Sequence, residues 1–565
     1  MRKILSSKYS WIYLLVVLIA INFIAAQLHY RFDLTKEKRY TLSNPTKKLL
    51  KNLQDKVSVT VFLDGDMPAG FKKLSKNARE LLQEFKEYGG GNIQVSFKRP
   101  GTDSTVGFTM DSLIRMGLKP TNVRVKAKEG EGEEQRYLFP GAVINYQDRT
   151  LPVDFLQGQD MQGGIGSLNN AEALLEYKLI STIQKVSSEN IATIGYLVGN
   201  GQPLTYNVFD LIDNTLRKNY RFSILPIDSV PVIPLNFDAL IIVKPTKTFN
   251  DQQKLKLDQY VMNGGKIIWM IDRLYAEMDS LMRKQSDFVA FDRNLNLEDL
   301  LFKYGVRINA DLIQDLQCDK VPLVVGNLGD KPQMELTNWP YFPLLNSYSD
   351  HPIAKNLNQV LSIFPNSLDT IKTPGITKTI LLATSANTRT LVTPAMVSLN
   401  SVKTEEDLKT FNKSFIPVAV LLEGKFSSLY SNRLSKNTLD TLAEIYKQPF
   451  IASSRESNSM IVVADADIVT NVFSQQQGPL EMGFNQFTQV QYANRDFLLN
   501  SIEYLTNPSG ILTTRSKDYT LRLLDAKKIE SSKTFWQLLN IGLPIMIILL
   551  FGIFYQYFRK RKYQK

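Results

Sequence analysis

The chain is 565 residues long with a formal net charge of +12, which is length enough for two or three domains. The excess charge is concentrated at the two ends, in Arg2, Lys3 and Lys8 and in Arg559, Lys560, Arg561, Lys562 and Lys565, and no basic stripe with interleaved aromatics runs between them, so no nucleic-acid partner is expected. Cys318 is the only cysteine and His29 and His351 the only histidines, which excludes an internal disulfide, argues strongly against a His/Cys metal centre and leaves a carboxylate site for a hard cation open.

Residues 1–8 form a basic tail. Tyr9 to Tyr30 then contains no Asp, Glu, Lys or Arg, and about 20 apolar helical residues suffice to cross a bilayer. The expectation is a first transmembrane helix over 9–30 with its basic leader in the cytoplasm. A cleaved signal peptide shares this pattern. Against cleavage, the apolar run exceeds the roughly 7 to 15 residues of such a segment, and Ile24 breaks the small-residue pattern before Ala26. Just beyond, Arg31, Asp33, Thr35 and Tyr40 occupy a polar-apolar stretch suited to the headgroup zone and are the candidate juxtamembrane contact with a partner.

Residues 31–165 read as a periplasmic α/β domain. Ser43 or Asn44 before Pro45 marks a helix start. A strand follows at Val57–Leu63, a helix from Phe71 to Tyr88 with Leu74, Ala78, Leu81, Leu82 and Phe85 on one face, and a second strand from Asn92 to Lys98. That strand, helix, strand unit is of the thioredoxin-like kind, without the Cys-x-x-Cys that redox chemistry needs. A helix near Asp111–Met116 precedes strands at Asn122–Ala127 and Gln135–Tyr146, which flank the acidic loop Glu129 to Glu134, either a cation loop or a solvated hairpin tip. The glycine-rich Gln157–Asn170 reads as a linker, with a helix from Ala171 to Val186 after it.

Residues 166–510 read as a larger, doubly wound α/β domain. Ile191–Val198 is a nearly continuous apolar run, the mark of a strand buried on both faces of a parallel sheet. A helix Tyr206–Asn219, strands Phe222–Pro226 and Ala239–Val243, a helix Asn250–Asn263 and a strand Lys266–Ile271 continue the alternation. Later strands are expected at Ile380–Ala383, Ile416–Leu422 and Met460–Val463, with a closing helix Asn494–Leu505. Residues 511–533 connect to a second transmembrane helix, 534–558, which is uncharged throughout and flanked by Phe535, Trp536, Tyr555 and Tyr557 as interfacial aromatics. The basic tail 559–565 would stay in the cytoplasm, placing both ends inside the inner membrane and the body in the periplasm.

Ligands of such sheets sit beyond the carboxyl ends of the strands. Three loops land there: Gly199-Asn200-Gly201-Gln202, Lys244-Pro-Thr246 and Asp272-Arg273. The first lacks the third glycine of a dinucleotide fingerprint, because position 204 is Leu, and a tight strand-to-helix turn is the better explanation of its glycines. Asp272, Asp465 and Asp467 form a candidate carboxylate cluster, or else cap the loops and helices that follow them. No Walker A sequence is present: Gly264-Gly-Lys266 has Tyr260 at the first glycine position and Ile267 where Ser or Thr should follow. A Gly-x-Ser-x-Gly elbow is absent too, so no catalytic residue, cofactor or metal is assigned.

Several runs together resemble one family: Arg31 to Thr35, Tyr40 to Ser43, Tyr196 to Gln202, Tyr260 to Lys266, Leu300 to Val306 with Asp311 and Asp315, His351 to Ile353, Val463 to Asp467, Asn494 to Asn500, and the basic tail. In that order, between two apolar anchors, they are similar to the GldG family of gliding-motility-associated ABC-transporter auxiliary proteins of Bacteroidota, within the wider ABC-transporter auxiliary family. The resemblance implies a central GIFT-type domain, related to class I glutamine amidotransferases but without their catalysis. It also implies a partner ABC ATPase and a multi-span permease, with envelope proteins of the gliding machinery as further contacts. The expected function is therefore that of a membrane-anchored, non-enzymatic auxiliary subunit. The alternative is a membrane-tethered carbohydrate or ligand binder, or an enzyme, using the strand-end loops.

Overall fold

The computed structural model describes residues 41–65, 67–99, 110–126, 133–156, 165–278, 287–328, 331–399, 405–507, 509–516 and 526–563, besides positions 15, 16, 18 and 19, which are helical and exposed. Most of the expected first span, the juxtamembrane residues Arg31, Asp33, Thr35 and Tyr40, and the tip of the acidic loop lie outside the described residues. The chain divides into a large unit ending at Asp518 and a small one from Tyr519 onward.

The large unit begins with helix α1 (Asn44–Lys51), whose Ser43 side chain caps the Thr46 amide ahead of Pro45. Strand β1 (Val57–Val61), helix α2 (Ala69–Tyr88) and strand β2 (Ile93–Phe97) follow, and α2 buries Phe71, Leu74, Ala78, Leu82 and Phe85 on one stripe. A hairpin of β3 (Thr121–Lys126) and β4 (Glu133–Leu138) brackets the acidic loop as expected. The expected strand 135–146 is in fact two, β4 and β5 (Gly141–Tyr146), because Phe139-Pro140 interrupts it and proline has no amide to continue a ladder. A further strand, β6 (Arg149–Asp154), completes a sheet ordered β2-β1-β5-β6, parallel at β1/β2 and antiparallel elsewhere. Helix α3 (Ile165–Ser187) starts inside the stretch expected to be a linker. Its Ala171, Leu175, Leu179, Ile180 and Ile183 join the core of this N-terminal domain.

The second domain is built on seven strands: β7 (Thr193–Val198), β8 (Arg221–Pro226), β9 (Ala239–Val243), β10 (Ile267–Met270), β11 (Ile376–Ala383), β12 (Pro417–Gly424) and β13 (Asn458–Val463). Their spatial order is β11-β12-β13-β10-β9-β7-β8. The run β8-β7-β9-β10-β13 is parallel and β12 reverses direction. Every residue of β9 and β10 is buried, as the unbroken apolar runs required. Ile241, Val243, Ile268 and Met270 face the helical stretch 208–216 and helix α5 (Asn494–Thr506), whereas Leu240, Ile242, Ile267 and Trp269 face helix α4 (Asp251–Met262). The sheet is thus covered on both sides. Residues 206–219, read as one helix, instead pass from a short 3₁₀ turn into a π-helix over Asp210–Leu216. Asp210 is held there by Arg495 and by the Asn471 side chain, which binds its backbone amide.

Between β10 and β11 the chain leaves the sheet for a β-rich insertion that includes a long hairpin, Cys318–Leu328 against Lys331–Leu345. Trp339, Tyr341, Phe342 and Phe364 form its aromatic core at centroid separations of 5.1–6.4 Å.

The small unit is a helix, α6 (Ala526–Tyr563), with non-helical backbone at Ser532. Its stretch from Thr534 to Arg561 is long and apolar enough to cross a membrane, and none of its apolar window is buried.

Candidate functional site at the carboxyl edge of the sheet

Strands β7 and β9 are neighbours whose connections run to opposite sides, to β8 and to β10, so the chain reverses order between them. The crevice at such a point, outside the carboxyl ends, is where an open α/β sheet offers a site. Lys244 leaves the end of β9 with a φ of +47°, a left-handed backbone that costs a non-glycine residue about 1–2 kcal/mol. The turn aims its side chain into a cluster of acids: Nζ lies 2.6 Å from Asp467, 3.2 Å from Asp272 and 3.3 Å from Glu277. Arg293 pairs with the other oxygen of Glu277 at 2.8 Å.

The carboxylates are held from behind by backbone amides. Asp272, next after Ile271 at the end of β10, accepts from the Ala466 amide at 2.6 Å. Asp465, past the end of β13, accepts from the amides of Asp467 at 2.7 Å and Ile363 at 2.8 Å and from the Ser362 hydroxyl. Asp467 also accepts from Thr470 Oγ1 at 2.8 Å. The three aspartates therefore do both things the sequence allowed. They converge, with oxygens within 4.8 Å of one another, and each also pins a loop.

Burial dominates the electrostatics. It pushes the Asp272 carboxyl up to about 6, with Lys244 opposing and Asp467 adding to the shift. Asp465, wholly enclosed, is raised well above the usual carboxylate range by burial first and then by Asp272 and Asp467. For Lys244 burial alone would lower the pKa, but Asp467, Asp272 and Glu277 together outweigh it and hold the ammonium charged. A hard cation needs several free oxygen ligands. Here the lysine ammonium stands among the same oxygens, so the cluster carries its own cation.

The glycine loop takes no part in that convergence. Asn200 is buried, its carbonyl accepts from the amides of Thr246 and Lys247 at 2.9 Å, and its side-chain amide donates to Thr248 O and Gln253 Oε1. Gln202 turns back to accept from the Asn200 amide at 2.8 Å. Gly199 and Gly201 both have positive φ, and a Cβ on Gly201 would stand 2.0 Å from Thr246 Oγ1. The loop is therefore a turn welded to the segment after β9, the bland reading of its glycines. Glu277 and Arg293 were not among the expected site residues, and Lys244 entered only as part of a strand-end loop. The usable signal was a lysine directly after the wholly apolar run Ala239–Val243, where a charge must find an acid.

Comparison with known proteins places the chain at the family level. Residues 36–145 match the family described as a domain of unknown function, DUF7088. An uncharacterized protein of Borreliella burgdorferi is 21% identical over 422 residues, covering 72% of this chain and 76% of that protein. The solved structure of the mmIFT52 N-terminal domain is 14% identical and covers 56% of this chain and 98% of that domain, at a TM-score of 0.30. Residues 192–501, more than half of the chain, match the ABC-transport auxiliary family described as an ABC-type uncharacterized transport system. The chain belongs to that family.

Proposed function

We propose that the protein is a non-catalytic exterior subunit of an ABC-transporter-like complex, standing on two membrane helices, 9–30 and 534–558, with both ends in the cytoplasm and the body in the periplasm. One observation carries the two-legged reading. Leu42 and Ile511, which follow the first anchor and precede the second, are buried in the same core. Beside them, Glu176 of α3 accepts from the Ser43 amide and the Thr46 hydroxyl, each at 2.8 Å. Arg515 is buried against Tyr177 of α3, 5.0 Å from its ring, and donates to Asn500 at 2.9 Å. The chain thus joins and leaves the body at one place, which suits attachment of both legs to a single bilayer.

Two features support a role without bond-breaking chemistry. The strand-end carboxylates are engaged by Lys244 and by backbone amides, and burial pushes the Cys318 thiol up to about 12, leaving no thiolate at neutral pH. Within the family we place the protein on the GldG branch, with a thioredoxin-like first domain, a GIFT-like second domain, and an ATPase, a permease and envelope proteins of a gliding apparatus as partners. The runs from Tyr196 to Gln202, Val463 to Asp467 and Asn494 to Asn500 support that placement. The test is affinity capture of the tagged full chain from native membranes in mild detergent. An ATPase and a multi-span protein should copurify in comparable amounts; recovery of the chain alone would overturn the reading.

A further inference from the structure

A cleft of about 830 Å³ opens at the amino ends of β7 and β8, the edge of the sheet opposite the Lys244 cluster, where the N-terminal domain meets the sheet domain. That volume lies in the range of small-molecule sites. Its walls carry four cations from separate elements: Arg149 of β6, Lys185 of α3, Lys218, and Arg221 of β8. Arg149 is spent on the Ser188 carbonyl at 2.6 Å and Lys218 on Asn214 Oδ1 at 2.9 Å. Among the described residues Lys185 and Arg221 have no carboxylate within ion-pair distance.

Two acids also line the cleft, each accepting from a neutral amide, so four cations face two carboxylates. Asp238 accepts from the Thr193 amide at 2.7 Å, and Glu503 accepts from Asn507 Nδ2 at 2.6 Å. Tyr220 supplies the independent observation. The residue is only 9% exposed, it lines the cleft, and its hydroxyl is buried without a hydrogen-bond partner. An orphaned buried hydroxyl costs about 1–3 kcal/mol, a cost that a ligand oxygen would remove.

We propose that this cleft binds a phosphate-bearing ligand, with Lys185 and the Arg221 guanidinium pairing the anion and the Tyr220 hydroxyl donating to one of its oxygens. A planar guanidinium with no carboxylate partner can take a phosphate through two parallel hydrogen bonds. A lipid headgroup is one source of such a phosphate, and a free phosphate in the surrounding solution is the other.

The test is calorimetric titration of the detergent-solubilised full chain, in a neutral maltoside, with short-chain phosphatidylglycerol and separately with inorganic phosphate. Wild type should bind at least one probe. Lys185→Gln with Arg221→Gln should weaken that binding roughly thirtyfold, at about 1 kcal/mol per charge, and Tyr220→Phe about fivefold. Lys303→Gln with Arg433→Gln, on a different open cleft, should change nothing. Binding of phosphatidylglycerol alone assigns the headgroup, and binding of inorganic phosphate assigns the soluble anion. Failure of wild type to bind either probe, or equal binding by a folded Tyr220→Phe and the wild type, overturns the proposal. Neither result bears on the transporter-subunit reading, because no partner chain is in the assay.

Discussion

Replacing Lys244 with Met would remove the only ammonium from a site where Asp272, Asp465 and Asp467 hold oxygens within 4.8 Å. The methionine keeps the apolar stem and the left-handed backbone cost, so the change isolates the charge. Lys244 and Asp272 are 7% and 5% exposed, so the ion pairs are scarcely screened by water, and breaking a buried pair by deleting one partner costs about 3–5 kcal/mol. The loss should depend on pH. Asp272 already titrates near 6 in the folded protein, above its ordinary value, so the fold binds that proton more tightly than the unfolded chain does. Stability from this group therefore rises as pH falls through about 6 and levels off below about 4. Without Lys244, the main influence holding that carboxyl down, the proton is taken up at higher pH and the repulsion is relieved. Thermal unfolding of the full chain in detergent should show Lys244→Met melting about 6–10 °C below wild type at pH 8, at about 2 °C per kcal/mol for a body this large. By pH 5 the gap should close by at least half. An unchanged melting temperature at pH 8, or an equal gap at both pH values, would refute the argument that the lysine neutralises the cluster.

Three further outcomes follow from named contacts. Gly201→Ala combines a φ of +77° with a clash on Thr246 Oγ1 and should cost about 2–4 kcal/mol, whereas Gly90→Ala, with φ +59° and nothing within 4 Å, should cost about 1; urea midpoints compare the two. Arg495→Leu leaves Asp210 buried without its two guanidinium contacts at 2.6 and 2.7 Å, a loss of about 3–5 kcal/mol that an added Asp210→Asn should partly restore. Glu176→Ala removes the acceptor shared by Ser43 and Thr46, so amide exchange in α1 should accelerate at least fivefold while β9 and β10 stay protected.

The parallel core was legible because its strands are apolar on both faces: Ala239–Val243 and the strand around Ile268 could be read from composition alone, and the helices between them from their alternation with the strands. The β-rich insertion was not. Residues such as Leu336 and Met334 alternate with polar neighbours on a hairpin whose partners are set by register, which no local pattern states. The π-helical turn at Asp210 was hidden for a similar reason, since the guanidinium that holds Asp210 there, that of Arg495, is 285 residues away. The three aspartates could be proposed as a group from their strand-end positions. Their meaning could not, because it depends on a lysine turned inward by a backbone angle.

The account rests on a body that stands outside one membrane on two legs, and cysteine accessibility tests this most directly. Cys318 is partly buried and its thiol is pushed up to about 12, so it contributes little background. Single cysteines at Ser6, at exposed Lys436 and at Gln564 would be probed with a membrane-impermeant maleimide in intact spheroplasts. The account predicts labelling of Lys436→Cys at once, and of Ser6→Cys and Gln564→Cys only after the membrane is opened. Labelling of either end in intact spheroplasts, or protection of position 436, would contradict it.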